Sequence, residues 1–182
     1  ATGEVECRAA VRQLIKEGAD FIKITATGGS TRTSHPLRPS FKVDEMIAIV
    51  DEAHKFGKHA AAHCASSEGM NNALEAGIDT IIHGYHKDPD GSYRYRPEIT
   101  DRIARDGVFV NPTLHQGRDA ESNLNHKADT IGLTELEQSQ LAQMRGKNDT
   151  IFEHTALMRE AGVRLVCGSD ASWSYYKLGD FQ

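Results

Sequence analysis

His63 and His83 carry the sharpest chemical signal in this 182-residue sequence. Each closes a short apolar run, KHAAAH (58–63) and DTIIH (79–83), one helix-plus-strand unit apart. Residues so placed on consecutive parallel strands lie roughly 5 Å apart across the sheet. Two imidazoles at that spacing could share one ion. Neutral imidazole is the commonest metal ligand and suits zinc, nickel, iron or cobalt. The opposing reading gives each imidazole a backbone hydrogen bond and no further role. For one histidine that reading prevails; for a matched pair the two stand level.

Asp170, in CGSD, follows another apolar stretch. A carboxylate there could ligate an ion and take a proton from water, or could cap the helix that follows. Lys23 lies inside DFIKI. Burial would lower its pKa and make the amine nucleophilic. Reaction with carbon dioxide would then give a carbamate, a bidentate oxygen ligand able to bridge two ions roughly 3.5–4 Å apart. A Schiff-base lysine, a carboxylate-paired lysine and an ammonium snorkelling to the surface are the alternatives. Tyr85 and His86, in HGYH, could line a substrate pocket or be exposed loop groups. The Gly28–Gly29 pair could turn backbone N–H groups toward an anion or a carbonyl oxygen. His59 starts its strand, so it belongs at the opposite end of the sheet from His63, in a structural role.

Five helix–Gly–strand units position these groups: 14–24, 53–63, 73–83, 103–113 and 158–170, turning at Gly18, Gly57, Gly77, Gly107 and Gly162. Lys23, His63, His83 and Asp170 sit at or near the strand ends; Thr113 is the exception. Such repeats build a parallel sheet, and function collects at the carboxyl ends of its strands. The pattern predicts helices over 4–17, 43–56, 68–76, 98–106 and from 134 to 159, the last interrupted near Gly146. Ser40 is a candidate cap for the second. Strands are predicted at 20–25, 58–63, 78–83, 108–113 and 163–168. Alternation puts Phe21, Lys23 and Thr25 on one face and Ile22 and Ile24 on the other. The polar stretch after Thr113 is expected to be a lid or partly helical. Periodicity does not choose between an open doubly wound sheet and a barrel.

Hydrophobic residues are 38% and charged residues 26% of the chain, and the net charge is −5. Without a basic stripe, nucleic acid is not an expected partner. No apolar run approaches the roughly 20 residues of a membrane span. Three cysteines without metal-finger spacing favour free thiols and a reducing, cytoplasmic setting.

Together these residues resemble the metal-dependent amidohydrolase superfamily, in the branch of imidazolonepropionase-like enzymes and zinc-dependent Xaa-Pro dipeptidases. The resembling segments are GADFIKITATGG (18–29), 40–84 and MREAGVRLVCGSDAS (158–172). The resemblance implies an α/β fold, a (β/α)8 TIM barrel. About five of its β/α units, the fourth to eighth strands, are present as one partial domain over 1–182. It implies a carboxylated Lys23, His63 and His83 as metal ligands, and Asp170 as ligand and proton acceptor. It also implies Tyr85 at the substrate. The cofactors would be zinc or another divalent metal, one or two ions, with carbon dioxide as the lysine carbamate. The reaction would be cleavage of an amide bond in a small molecule by a metal-activated hydroxide. Lactone, phosphotriester or cyclic-amide hydrolysis on the same centre is the alternative, and a non-catalytic module or an inactive segment is the non-enzymatic one. The superfamily's His-x-His pair is absent, and HCAS stands where a second His and a Gly are usual, at Ala65 and Ser66. The site is therefore expected to need the missing N-terminal part of the barrel. A small-molecule substrate and a homo-oligomer are the expected partners.

Overall fold

Each of the five glycines that ends a helix turns the chain with a left-handed φ, between +66° and +98°, a region L side chains resist. The computed structural model describes residues 1–28 and 35–170, apart from the side chains of Gln116 and Asp119. The element order is α1 (Gly3–Lys16), β1 (Phe21–Thr25), α2 (Val43–Lys55), β2 (His59–Cys64), α3 (Ser67–Glu75) and β3 (Thr80–His83). It continues with α4 (Pro97–Asp106), β4 (Phe109–Asn111), α5 (His115–Thr130), α6 (Glu135–Glu160) and β5 (Arg164–Leu165). All four strand pairings are parallel, and the spatial order is β1-β2-β3-β4-β5. A doubly wound sheet reverses its order at a switch point; this one never does. The chain is an arc of a (β/α) barrel, which resolves the choice that periodicity left open.

The two faces of the sheet differ sharply. Ile22, Ile24, Ala60, Ala62, Cys64, Ile81 and Val110 are buried under the helices. Fully burying a side chain such as Ile81 contributes roughly 1.5–3 kcal/mol. On the other face Thr25, His63, Ile82 and Asn111 align in one row across four strands, and Phe21 is 53% exposed. Phe21, Lys23 and Thr25 share that face as alternation predicts.

Charge pairs fasten the helical layer. Glu52, buried on α2, accepts from Arg12 Nε at 2.6 Å and from Arg8 Nη1 at 3.2 Å, and the Arg12 bond holds its carboxyl below the usual range. Ser66 caps α3 by accepting from Gly69 N–H. Gly69 itself cannot be larger, because a Cβ there would run into Thr27 Cγ2.

The observed elements refine the expected ones in four places. Lys42, not Ser40, precedes α2, and its N–H is taken by Glu45 Oε2 at 2.8 Å. The stretch after Thr113 is helical as α5. The last long helix runs unbroken through Gly146 to Glu160. The fifth strand shrinks to two residues. No helix among the described residues is long and apolar enough to cross a membrane.

Candidate metal centre

His63 Nδ1 and His83 Nε2 are 3.0 Å apart, with ring centroids 4.5 Å apart in an edge arrangement. Strand alternation alone would not produce this. His63 pairs in register with Ile82, while His83 pairs with Cys64, whose side chain is buried under the helices. A regular strand would send His83 to that helical side. Instead His83 takes a left-handed φ of 70°, which turns its ring back over the open face toward His63. Thr113 (φ 48°) and Asp170 (φ 53°) do the same at the next two strand ends. These are the three described non-glycine residues with positive φ, and all lie on one rim. Strain of this kind costs about 1–3 kcal/mol per residue and gathers at functional sites.

Thr113 completes the arrangement. His83 Nδ1 lies 2.8 Å from Thr113 Oγ1. With the hydroxyl oxygen accepting from Nδ1–H, Nε2 keeps its lone pair directed at His63. Thr113 also bonds the Tyr85 hydroxyl, so Tyr85, Thr113, His83 and His63 form one chain of contacts. Asn111 Oδ1 accepts from Thr113 N–H at 3.2 Å and steadies the strained residue.

Both imidazoles are held neutral. Burial lowers the pKa of His63, Lys23 lowers it further, and Asp170 acts against both. His83, 7% exposed, is pushed down to about 3 by burial, with His63, Lys23 and Lys147 adding to the effect. Burial raises the Tyr85 phenol, with Thr113 opposing. Lys23 and Asp170 thus act on His63 through their charges. Among the described residues, however, no three His, Cys, Asp or Glu side chains converge closely enough to hold an ion by themselves.

The pair fits a metal. Two ligand nitrogens about 2.0–2.1 Å from a zinc-like ion lie about 2.9–3.4 Å apart between octahedral and tetrahedral angles. The observed 3.0 Å falls in that range. Neutral rings and a hydroxyl on the outer nitrogen of His83 are what such ligation requires.

The remaining candidate residues take the following places. Lys23 is exposed on the open face, where alternation puts it, with Ile22 and Ile24 on the opposite side. His86 is 0% exposed and lines a small cavity with His83, Tyr85 and His154. Its Nδ1 accepts from Arg96 N–H at 3.0 Å and its ring packs on Tyr95 and His154. Gly28 is buried and its N–H is taken by Arg38 O at 3.1 Å; Gly29 lies outside the described residues. Tyr85 stands beside His83, ring centroids 5.5 Å apart. His59 is at the far end of β2 as expected, with Nε2 3.1 Å from Thr80 Oγ1.

Residues 1–179 match the profile of the Amidohydrolase family. The chain belongs to the amidohydrolase family. It is 34% identical over 91 residues to an ochratoxinase of Aspergillus niger, covering 50% of this chain and 19% of that protein. It is 27% identical over 168 residues to an uncharacterised protein of Mycobacterium tuberculosis, covering 92% and 41%. Among solved structures, a Xaa-Pro dipeptidase with methionine bound in its active site superposes with a TM-score of 0.68 at 31% identity, covering 94% of this chain and 39% of that one. The chain therefore spans less than half the length of each of these amidohydrolase relatives. Sequence reasoning missed Thr113 as the partner of His83; the signal was a hydroxyl residue at a strand end matching those of the histidines.

Proposed function

We propose that the protein to which this chain belongs hydrolyses an amide bond in a small, dipeptide-like or N-acyl substrate, and depends on a divalent metal. The observation that carries the reading is the 3.0 Å approach of two neutral imidazole nitrogens on the strained carboxyl rim of an amidohydrolase sheet. Family membership and the likeness to a Xaa-Pro dipeptidase support the amide bond as the target.

His63 Nδ1 and His83 Nε2 would hold the ion, with Lys23, as a carbamate, and Asp170 completing the set. A divalent ion there would activate water and polarise the scissile carbonyl. Asp170 accepts the proton of the attacking water on its carboxylate and hands it to the leaving amine. Thr113 holds His83 in the tautomer that leaves Nε2 free. The Tyr85 hydroxyl, kept protonated by burial, can donate to the carbonyl oxygen as charge develops on it.

The test is a metal count on the full-length protein, with parallel assays of N-acyl amino acids, dipeptides, lactones and organophosphates. Amide turnover that tracks metal content is expected. Turnover of lactones or phosphotriesters alone would replace the amide reading. Lys23→Ala should lower metal content without rescue by bicarbonate; unchanged stoichiometry would remove the carbamate.

A further inference from the structure

β5 is the shortest strand, and Asp170 lies beyond its end. Among the described residues, the last backbone hydrogen bond that joins β5 to β4 is Val166 N–H to Val110 O, at 2.9 Å. Cys167, Gly168 and Ser169 then lead to Asp170 beside a cavity of about 370 Å³, which they line together with Asn111, Leu114 and Phe152. The turn that delivers the carboxylate thus has open space along one side and no ladder to β4 beneath it. A side chain is left to set its position.

Asn111 makes that contact. It ends β4 on the open face, in the row that holds His63. A Cβ at Gly168 would run into Asn111 Nδ2, and would lie 2.9 Å from its Cγ and 3.1 Å from its Oδ1. The carboxamide therefore fills the space that any side chain at position 168 would need. Gly168 has no left-handed φ, so the close approach, and not the backbone angle, demands glycine there. Nor is the amide loose. Its Oδ1 accepts from Thr113 N–H at 3.2 Å, and Thr113 Oγ1 in turn lies 2.8 Å from His83 Nδ1. One short side chain thus touches both strand ends. A hydrogen bond ties it to the residue that orients His83, and packing ties it to the turn two residues before Asp170.

We infer that Asn111 is a positioning residue. Wedged between Thr113 and Gly168, it fixes the approach of Asp170 to the His63–His83 pair. The inference rests on the hydrolytic reading for what Asp170 does, though not for the contact that places it.

A double-mutant cycle on the full-length protein tests it, with kcat for N-acetyl-L-leucine measured at saturating zinc. Gly168→Ala should lower kcat about 10–100-fold and leave KM within about threefold, the effect of displacing a catalytic group by about 1 Å. In the Asn111→Ala background the added methyl meets no amide, so Gly168→Ala should change kcat by less than about threefold. Asn111→Leu keeps the bulk and loses only the acceptor, so it should lower kcat about 2–10-fold, the share of one hydrogen bond. Asn111→Ala, which also leaves the turn unsupported, should lie about tenfold lower still. An equal penalty for Gly168→Ala in both backgrounds, no penalty in either, or a loss through KM alone would overturn the inference. Should Gly168→Ala fail to fold, the comparison of Asn111→Leu with Asn111→Ala decides, and equal rates overturn it. Chelator titration of bound zinc repeats the cycle without catalysis. If wild type hydrolyses neither N-acyl amino acids nor dipeptides, coupling in zinc affinity sustains the positioning role and defeats the hydrolytic reading, whereas independent effects overturn both.

Discussion

The two ends of the sheet carry the same kinds of side chain and use them differently. At the amino end, His54 and His59 surround Asp79: His54 Nε2 lies 2.8 Å and His59 Nδ1 3.8 Å from the same oxygen, Oδ2. That oxygen also accepts from Ala60 N–H at 2.7 Å. Both imidazoles are well exposed, at 43% and 53%. At the carboxyl end, His63 and His83 face each other, with His83 7% exposed, and Asp170 acts on His63 through its charge. Each amino-end ring has a carboxylate neighbour and is exposed. Each carboxyl-end ring is held neutral, and His83 sits on backbone that bends against its preference. Composition does not separate the two histidine clusters; the difference lies in burial and in the backbone that carries them.

The sharpest way to break this contrast is at Asp170. Asp170→Asn in the full-length metal-loaded enzyme should lower kcat by about 10²–10⁴-fold, the usual contribution of a positioned proton acceptor. Far-ultraviolet circular dichroism should be unchanged. Wild-type turnover would place the proton transfer elsewhere. Next comes His83→Ala, which should weaken metal binding by more than the roughly 10–100-fold typical of losing an outer partner, read by titration with a chelator. Thr113→Val should fall within that 10–100-fold range, since it keeps the shape and removes only the oxygen at His83 Nδ1. Thr113→Ser should restore most of the loss. A Thr113→Val protein with unaltered metal affinity would mean that His83 is oriented by its backbone alone.

How far these roles were legible in the sequence follows from the same contrast. The helix–Gly–strand repeat and the alternation in FIKIT gave the elements and the exposed face of Lys23, because both depend on local backbone preference. The placing of His59 and His63 at opposite ends followed from strand length alone. The approach of His83 to His63 was expected for an incomplete reason: matched strand ends do not put the two on one face, and the positive φ of His83 does. No local signal announces that φ, since histidine has no strong preference for it. HQGRDAESNLNHKADT is a weak helix former, and α5 forms by lying along α6, with Asn148 reaching Gly117 O and Glu121. Gly146 would cost a helix about 1 kcal/mol, too little to break one of 26 residues. His86 read either as a pocket-lining residue or as an exposed loop group, and it is buried because Arg94 and Arg96 fold the loop back onto Asp88, at 2.7 and 2.6 Å.

That buried histidine gives a smaller prediction. Burial, with His154 next to it, pushes the pKa of His86 down to about 4. The unfolded chain takes up a proton near pH 6.5 that the folded chain refuses until about pH 4. The stabilisation from keeping His86 neutral is therefore complete above pH 6.5 and declines between 6.5 and 4, by at most about 1.4 kcal/mol per pH unit. Urea midpoints of the metal-stripped protein at several pH values would show this slope. His86→Gln, which keeps an acceptor for Arg96 N–H, should flatten it; an unchanged slope would assign the proton uptake to other groups.

The smallest expected effect tests the contrast from the other side. His54→Asn and His59→Asn each remove an imidazole near Asp79 but leave its strong bond from Ala60 N–H in place. Half-exposed ion pairs of this sort contribute about 0–1 kcal/mol, so each change should move the urea midpoint slightly. Neither should alter metal content, because β2 separates both residues from the rim that holds His63. If His59→Asn lowered metal affinity as much as Thr113→Val, the strand would be transmitting the change along its length. The division of labour between its two ends would then be a matter of degree rather than of place.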